Sequence, residues 1–258
     1  MKRTLLLWLS SLLVLSVQAQ QGFRLGLTVQ PQASFHLNTD FYKSGRLTLY
    51  GPQPNYFGQD SIETRFTPGF GISARLGYQF NERHGFESGV MYSWQGQNWK
   101  VTNTTGTVNR HERFHLFKIP MLYRFNTAKE GKKWQFLLNA GIQVSVLGNA
   151  SLFVDGNRLA DPEPTLGGLG FRDYFKEASL DGVVGIGTVY SPAERWEITL
   201  MARSDISILD AEDQSYKLKT RGDTRFMTVG LNIGFNYILI PRSKTPAVPP
   251  NVEVVPAN

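Results

Sequence analysis

The sequence predicts an all-β fold: an eight-stranded antiparallel transmembrane up-and-down β-barrel with short periplasmic turns and long extracellular loops. Three observations carry this. Alternation of apolar and polar residues recurs in eight separate runs. The connections between runs alternate between short and long. Aromatic residues gather beside the short ones.

The elements follow in chain order. Lys2 and Arg3, the apolar run Leu5–Leu15 and the small-residue site Val17-Gln18-Ala19 read as a secretory leader. Residues 1–19 are therefore expected as a cleaved signal peptide and 20–240 as the barrel. Residues 241–258 hold Pro241, Pro246, Pro249, Pro250 and Pro256 and are expected as a periplasmic tail that cannot join a sheet. Export without cysteine means no disulfides, so packing and backbone pairing must hold the chain. Removing Lys2 and Arg3 lowers the formal charge from +6 to +4, too small an excess to imply a nucleic-acid partner.

The first run sets Phe23, Leu25, Leu27 and Val29 against Arg24, Gly26, Thr28 and Gln30. The second sets Phe70, Ile72, Ala74 and Leu76 against Gly71, Ser73, Arg75 and Gly77. The third sets Phe86, Val90, Tyr92 and Trp94 against Glu87, Gly89 and Gln95, and the fourth Phe117, Ile119, Met121 and Tyr123 against Lys118 and Arg124. The fifth sets Trp134, Phe136, Leu138 and Ile142 against Gln135, Asn139 and Gln143. The sixth sets Leu180, Val184 and Ile186 against Asp181 and Gly185. The seventh sets Trp196, Ile198 and Leu200 against Glu197, Thr199, Arg203 and Asp205. The eighth sets Val229, Leu231, Ile233 and Phe235 against Thr228, Gly230, Asn232 and Gly234. A tilted membrane strand needs about 9–11 residues, and these runs supply them. Asn81–His84, Asn126–Lys133 and Ser191–Arg195 are the short turns; 37–64, 97–112, 148–175 and 209–223 are the long connections.

A soluble barrel of the lipocalin kind would put the apolar face inside. An eight-stranded interior barely holds its own side chains, so this many Phe, Trp, Tyr and Leu residues would overpack it. The polar, glycine-rich face fits a crowded lumen. Tyr78, Trp134, Tyr190, Trp196 and Tyr237 form the predicted girdle beside the short turns, with Trp94 at the opposite interface. Outer-membrane lipid is thus the expected surrounding.

The inward face then carries Arg24, Arg75, Lys118, Arg124 and Arg203 with Glu87, Asp181, Glu197 and Asp205. In a narrow lumen such charges need partners. A plugged, ion-paired lumen is expected, and a narrow conduit for a small solute or lipid is the alternative.

Leu116-Phe117-Lys118-Ile119-Pro120-Met121-Leu122-Tyr123-Arg124-Phe125 resembles the Ile-Pro strand of the PorT-like outer-membrane β-barrel family. Gly69-Phe70-Gly71-Ile72, Gly85-Phe86-Glu87-Ser88-Gly89-Val90 and Asn139-Ala140-Gly141 are similar to its flanking pieces. Lys118 stands where many relatives carry an acidic residue. The resemblance implies an eight-stranded barrel in the bacterial outer membrane and a link to protein secretion.

No catalytic or metal constellation emerges, and no enzyme activity or cofactor is expected. His111 and His115 fall at a loop–strand junction, where their spacing is not expected to set them on one face. Adjacent Ser204 and Asp205 point to opposite faces of a strand. Gly167-Gly168-Leu169-Gly170 precedes no helix, so it is not a phosphate loop. The expected functional surface is the loops, where Tyr50, Tyr56, Phe57, Phe171, Tyr174 and Phe175 either contact a partner or pack against one another. The expected role is a non-enzymatic accessory or scaffold subunit of a larger secretion or uptake assembly, with protein partners in the outer membrane or periplasm.

Overall fold

The computed structural model describes residues 22–38, 61–81, 83–103, 106–127, 133–158, 170–213 and 223–239. The expected signal peptide, the Pro-rich tail, Tyr50, Tyr56, Phe57 and Gly167-Gly168-Leu169 lie outside the described residues. The strands are β1 (Phe23–Asn38), β2 (Ser61–Arg65), β3 (Pro68–Gln79), β4 (His84–Asn103), β5 (Gly106–Asn126), β6 (Trp134–Val154), β7 (Asn157–Arg158), β8 (Ala178–Ala193), β9 (Trp196–Ser207) and β10 (Thr224–Ile238).

Eight of them close a ring in the order β1-β3-β4-β5-β6-β8-β9-β10, with β10 returning to β1. Every pairing in the ring is antiparallel. Closure leaves no edge, so each ladder donor and acceptor can be met inside the sheet, as a hydrocarbon surround requires. Short β2 runs against the top of β4, and β7 folds back on β6.

Burial is inside out. Leu27, Ile72, Val90, Ile119, Ile186 and Phe235 are exposed on the outer wall. Arg24, Arg75, Lys118, Asn139, Gln143 and Asn232 are buried within. The alternation read from the sequence is thus a lipid-facing and lumen-facing alternation. Some inward positions are aliphatic: Leu137, Val189 and Met201 form a small buried cluster low in the lumen.

Prolines mark where the ladders open. The β1–β10 register passes from Val29↔Ile233 to Gln32↔Gly230, skipping Pro31. The β4–β5 register passes from Ser88↔Met121 to Met91↔Lys118, skipping Pro120. Proline has no N–H to give, so pairing lapses at both places. The ring tolerates this because Pro31 and Pro120 still pair on their other side, with Phe70 and Gln143.

Two long connections differ from expectation. Residues 97–112 are mostly strand, because β4 and β5 remain paired up to Asn103↔Gly106. Likewise β6 continues to Val154 and turns tightly into β7. Asp155 (φ 46°) and Gly156 (φ 84°) form that turn, with the positive dihedrals a two-residue hairpin favours. At 21 residues, β5 has about twice the length a membrane strand needs. The surplus projects as a sheet above the lipid-facing band.

Candidate functional site

The lumen is the most constrained region, and it has two layers. The layer nearer the short turns is charged. Arg75 Nη1 donates to Glu87 Oε1 at 2.6 Å. Arg124 reaches the second oxygen of Glu87 at 3.5 Å and Glu197 at 3.3 Å. Arg24 approaches the same Glu197 at 3.4 Å. A continuous chain Arg75–Glu87–Arg124–Glu197–Arg24 therefore crosses the lumen, supplied by β1, β3, β4, β5 and β9. Farther from the short turns, Lys118 Nζ sits 2.5 Å from Asp205, and Arg203 lies 3.7 Å from the other Asp205 oxygen.

Asp181 takes its partners from neutral donors. Gln143 Nε2 donates to it at 3.0 Å, Ser207 Oγ at 2.9 Å, and Ser145 Oγ also donates. Gln143 ties this group to the ion pairs, since its Oε1 accepts from Arg203 at 2.5 Å. Arg75 also donates to Asn232, which links β3 to β10. All nine charged residues placed in the lumen by alternation are buried there. A buried charge is costly unless it is paired or hydrogen-bonded; eight of the nine lie in ion pairs, and Asp181 accepts hydrogen bonds from neutral side chains.

The upper layer is aromatic. Phe114, Leu116, Leu147, Leu152, Phe171, Phe175 and Phe226 form one buried cluster. Phe114 lies at the centre, 4.8 Å from Phe175 and 4.9 Å from Phe226 between ring centroids. His36 packs tilted against Phe226 at 4.7 Å, and its Nδ1 meets Glu112 at 3.0 Å. Residues 170–177 fold across the barrel mouth. Phe171–Tyr174 make a 3₁₀ turn, and Phe175 bridges to Glu212. Lys176 N donates to Ala211 O at 2.9 Å, and Leu147 N donates to Glu177 O at 2.7 Å. Phe171 and Phe175 are thus buried against one another, and Tyr174 packs at the edge of the cluster.

Between the two layers a cavity of about 10 Å³ remains, lined by Lys118, Asp181, Asp205 and Phe226 among others. That is about the room of one water.

Aromatic pairs ring the short-turn end. Trp134 and Tyr190 lie 4.6 Å apart, and Trp196 lies 4.7 Å from both Phe235 and Tyr237. Tyr78 packs on Phe23 at 4.9 Å. At the other end, Trp94 lies under the Arg113 guanidinium at 5.1 Å. His111 and His115 share the outer face of β5, because strand residues four apart point the same way. The expectation that they do not share a face is corrected by the upward extension of β5 to Gly106, away from the short turns. Among the described residues no three His, Asp, Glu or Cys side chains converge as a metal site.

Alternation alone did not reach His36, Glu112, Phe114 or Phe226. Continuing the inward parity of Lys118 back through Leu116 would have found two of these positions, Phe114 and Glu112, on one face.

The chain is similar in shape to several solved outer-membrane proteins. With Neisserial surface protein A it shares 12% identity over 83% of this chain and 96% of that one, at a TM-score of 0.45. With OprG of Pseudomonas aeruginosa it shares 12% identity over 84% and 95%, at a TM-score of 0.40. With Ail, the attachment invasion locus protein of Yersinia pestis, it shares 10% identity over 84% and 98%, at a TM-score of 0.33. Among curated proteins none matches. The family model described as "Outer membrane protein beta-barrel domain" matches residues 5–238, nearly the whole chain. With the closed, lipid-facing ring, this makes the chain a member of the outer membrane protein beta-barrel domain family, located in the bacterial outer membrane.

Proposed function

We propose that the chain is a non-enzymatic accessory or scaffold subunit of a larger outer-membrane assembly, in secretion or uptake, of the kind its PorT-like strand resembles. The observation that carries this is the filled lumen. An ion-paired layer and an aromatic layer stack in series, with about 10 Å³ between them. The polar groups that might otherwise do chemistry or pass a solute are spent on one another. Activity then belongs to the outer wall, the loops or the ends of the chain. The filled lumen weighs against a conduit, because a passing solute would have to break buried ion pairs and displace Phe114.

Crosslinking in the native membrane, followed by identification of the adducts, tests the reading. Discrete adducts with one or two outer-membrane or periplasmic proteins are expected. Recovery of the lone barrel from mild detergent, with no adduct at any crosslinker length, would overturn it.

A further inference from the structure

On the outer wall of β4, β5 and β6 the apolar stripe ends abruptly. Along β5 the outward residues run Tyr123, Met121, Ile119 and Phe117, and then His115, Arg113, His111 and Asn109. The matching outward residues of β6 are Asn149, Ser151 and Phe153, in register with His115, Arg113 and His111. The irregularity between His115 and Leu116 adds one β6 residue there and keeps these side chains on the outer face. A cleft of about 450 Å³ lies among them, closed at one side by Arg158 of β7 and below by Trp94.

The height of this cleft follows from strand geometry. From Phe125 at the short-turn end to His115 is ten residues, or roughly 25 Å along the barrel axis for strands tilted about 40°. That matches the apolar band of an outer-membrane barrel, about 25 Å tall. Trp94 and His115, which pair in register, therefore stand at the outer interface. Arg113 lies about 5 Å higher and His111 about 10 Å higher. This is the level of lipid headgroups.

The charge there is positive and available. Arg113 lies over Trp94, yet its Nη1 is buried with no hydrogen-bond partner among the described residues. Arg158 is exposed. The ion pairs of the described residues involve neither of them. The nearby carboxylate, Asp155, accepts from Asn109 N at 2.8 Å. A buried, unpaired guanidinium donor beside a second arginine fits an anion with several oxygens.

We propose that this cleft binds the phosphorylated sugar headgroup of an outer-leaflet glycolipid. Arg113 and Arg158 hold the phosphate, His111, Asn149 and Ser151 offer donors to the sugar, and the acyl chains lie against Phe117 and Ile119 below. The site is independent of any protein partner.

The test uses the full chain in nanodiscs of zwitterionic phospholipid. Native mass spectrometry counts bound lipid A, the same glycolipid without phosphates, and lipid A in excess inorganic phosphate. One lipid A is expected to be retained, and the phosphate-free glycolipid should bind about tenfold more weakly, as loss of charge-assisted hydrogen bonds implies. Arg113→Gln with Arg158→Gln should show the same loss while keeping heat-modifiable gel mobility. If that double variant fails to fold, Arg158→Gln alone, on exposed β7, should weaken binding about threefold. Equal retention of the phosphate-free glycolipid, or undiminished lipid A on folded variants, would overturn the proposal. So would displacement by inorganic phosphate, which would mark a site for free anions.

Discussion

The two layers of the lumen fill the same ring by opposite means. The lower layer carries Arg24, Arg75, Arg124, Glu87 and Glu197 in one chain of ion pairs. The upper layer is Phe114 surrounded by Phe171, Phe175 and Phe226, with the His36–Glu112 pair at its margin. The difference teaches how each layer should fail. Removing one member of an ion chain leaves its neighbours charged, buried and unpaired. Removing one ring leaves a cavity that neighbours partly refill. The lower layer is therefore all-or-none, and the upper layer is graded.

The sharpest way to break this contrast is Glu87→Gln. It strips Arg75 and Arg124 of a shared carboxylate and should cost about 3–5 kcal/mol of barrel stability, read from urea unfolding in lipid vesicles. A loss below about 1 kcal/mol would mean water or relaxation already screens the chain. Next comes Phe114→Ala, expected to cost about 3 kcal/mol, with Phe114→Leu costing less than about 1.5 kcal/mol. If Leu proved as damaging as Ala, the aromatic layer would depend on ring geometry and not on volume. Gly185→Val should cost about 1–2 kcal/mol through overpacking, because a Cβ there would lie 2.7 Å from the sulfur of buried Met201. The smallest effect belongs outside both layers. Arg195→Ala removes an exposed contact of 3.1 Å to the Tyr237 hydroxyl and should change stability by less than about 0.5 kcal/mol.

The two layers were also unequally legible in the sequence. The lower one could be read residue by residue, because a strand's period of two is rigid and the polar set Arg75, Glu87, Lys118, Arg124 and Glu197 interrupts apolar runs at fixed parity. What each charge pairs with was not legible, since strand stagger in the closed ring decides it. Asp181 shows this: it faces serines and an amide, where a cation was the simple expectation. The upper layer was harder. Phe114 and Phe226 are apolar residues on the inward face, so an alternation rule that equates apolar with lipid-facing passes over them. The β6–β7 hairpin did leave a signal, Asp155-Gly156, the dipeptide that favours a tight turn with positive φ. It was obscured because residues 148–175 are otherwise rich in glycine and proline and read as one loop. The outward run of His115, Arg113 and His111 was hidden for the same reason: its side is defined only once β5 is known to begin at Gly106.

The central claim is that the two layers in series close the barrel. Planar-bilayer recording of the purified full chain in concentrated salt tests it most directly. The account predicts no steady single-channel conductance for the native protein, even after many insertions verified by heat-modifiable mobility. A stable, uniform conductance step from the native chain would contradict it, because ions cannot pass an intact Arg75–Glu87–Arg124–Glu197 chain and the Phe114 layer together.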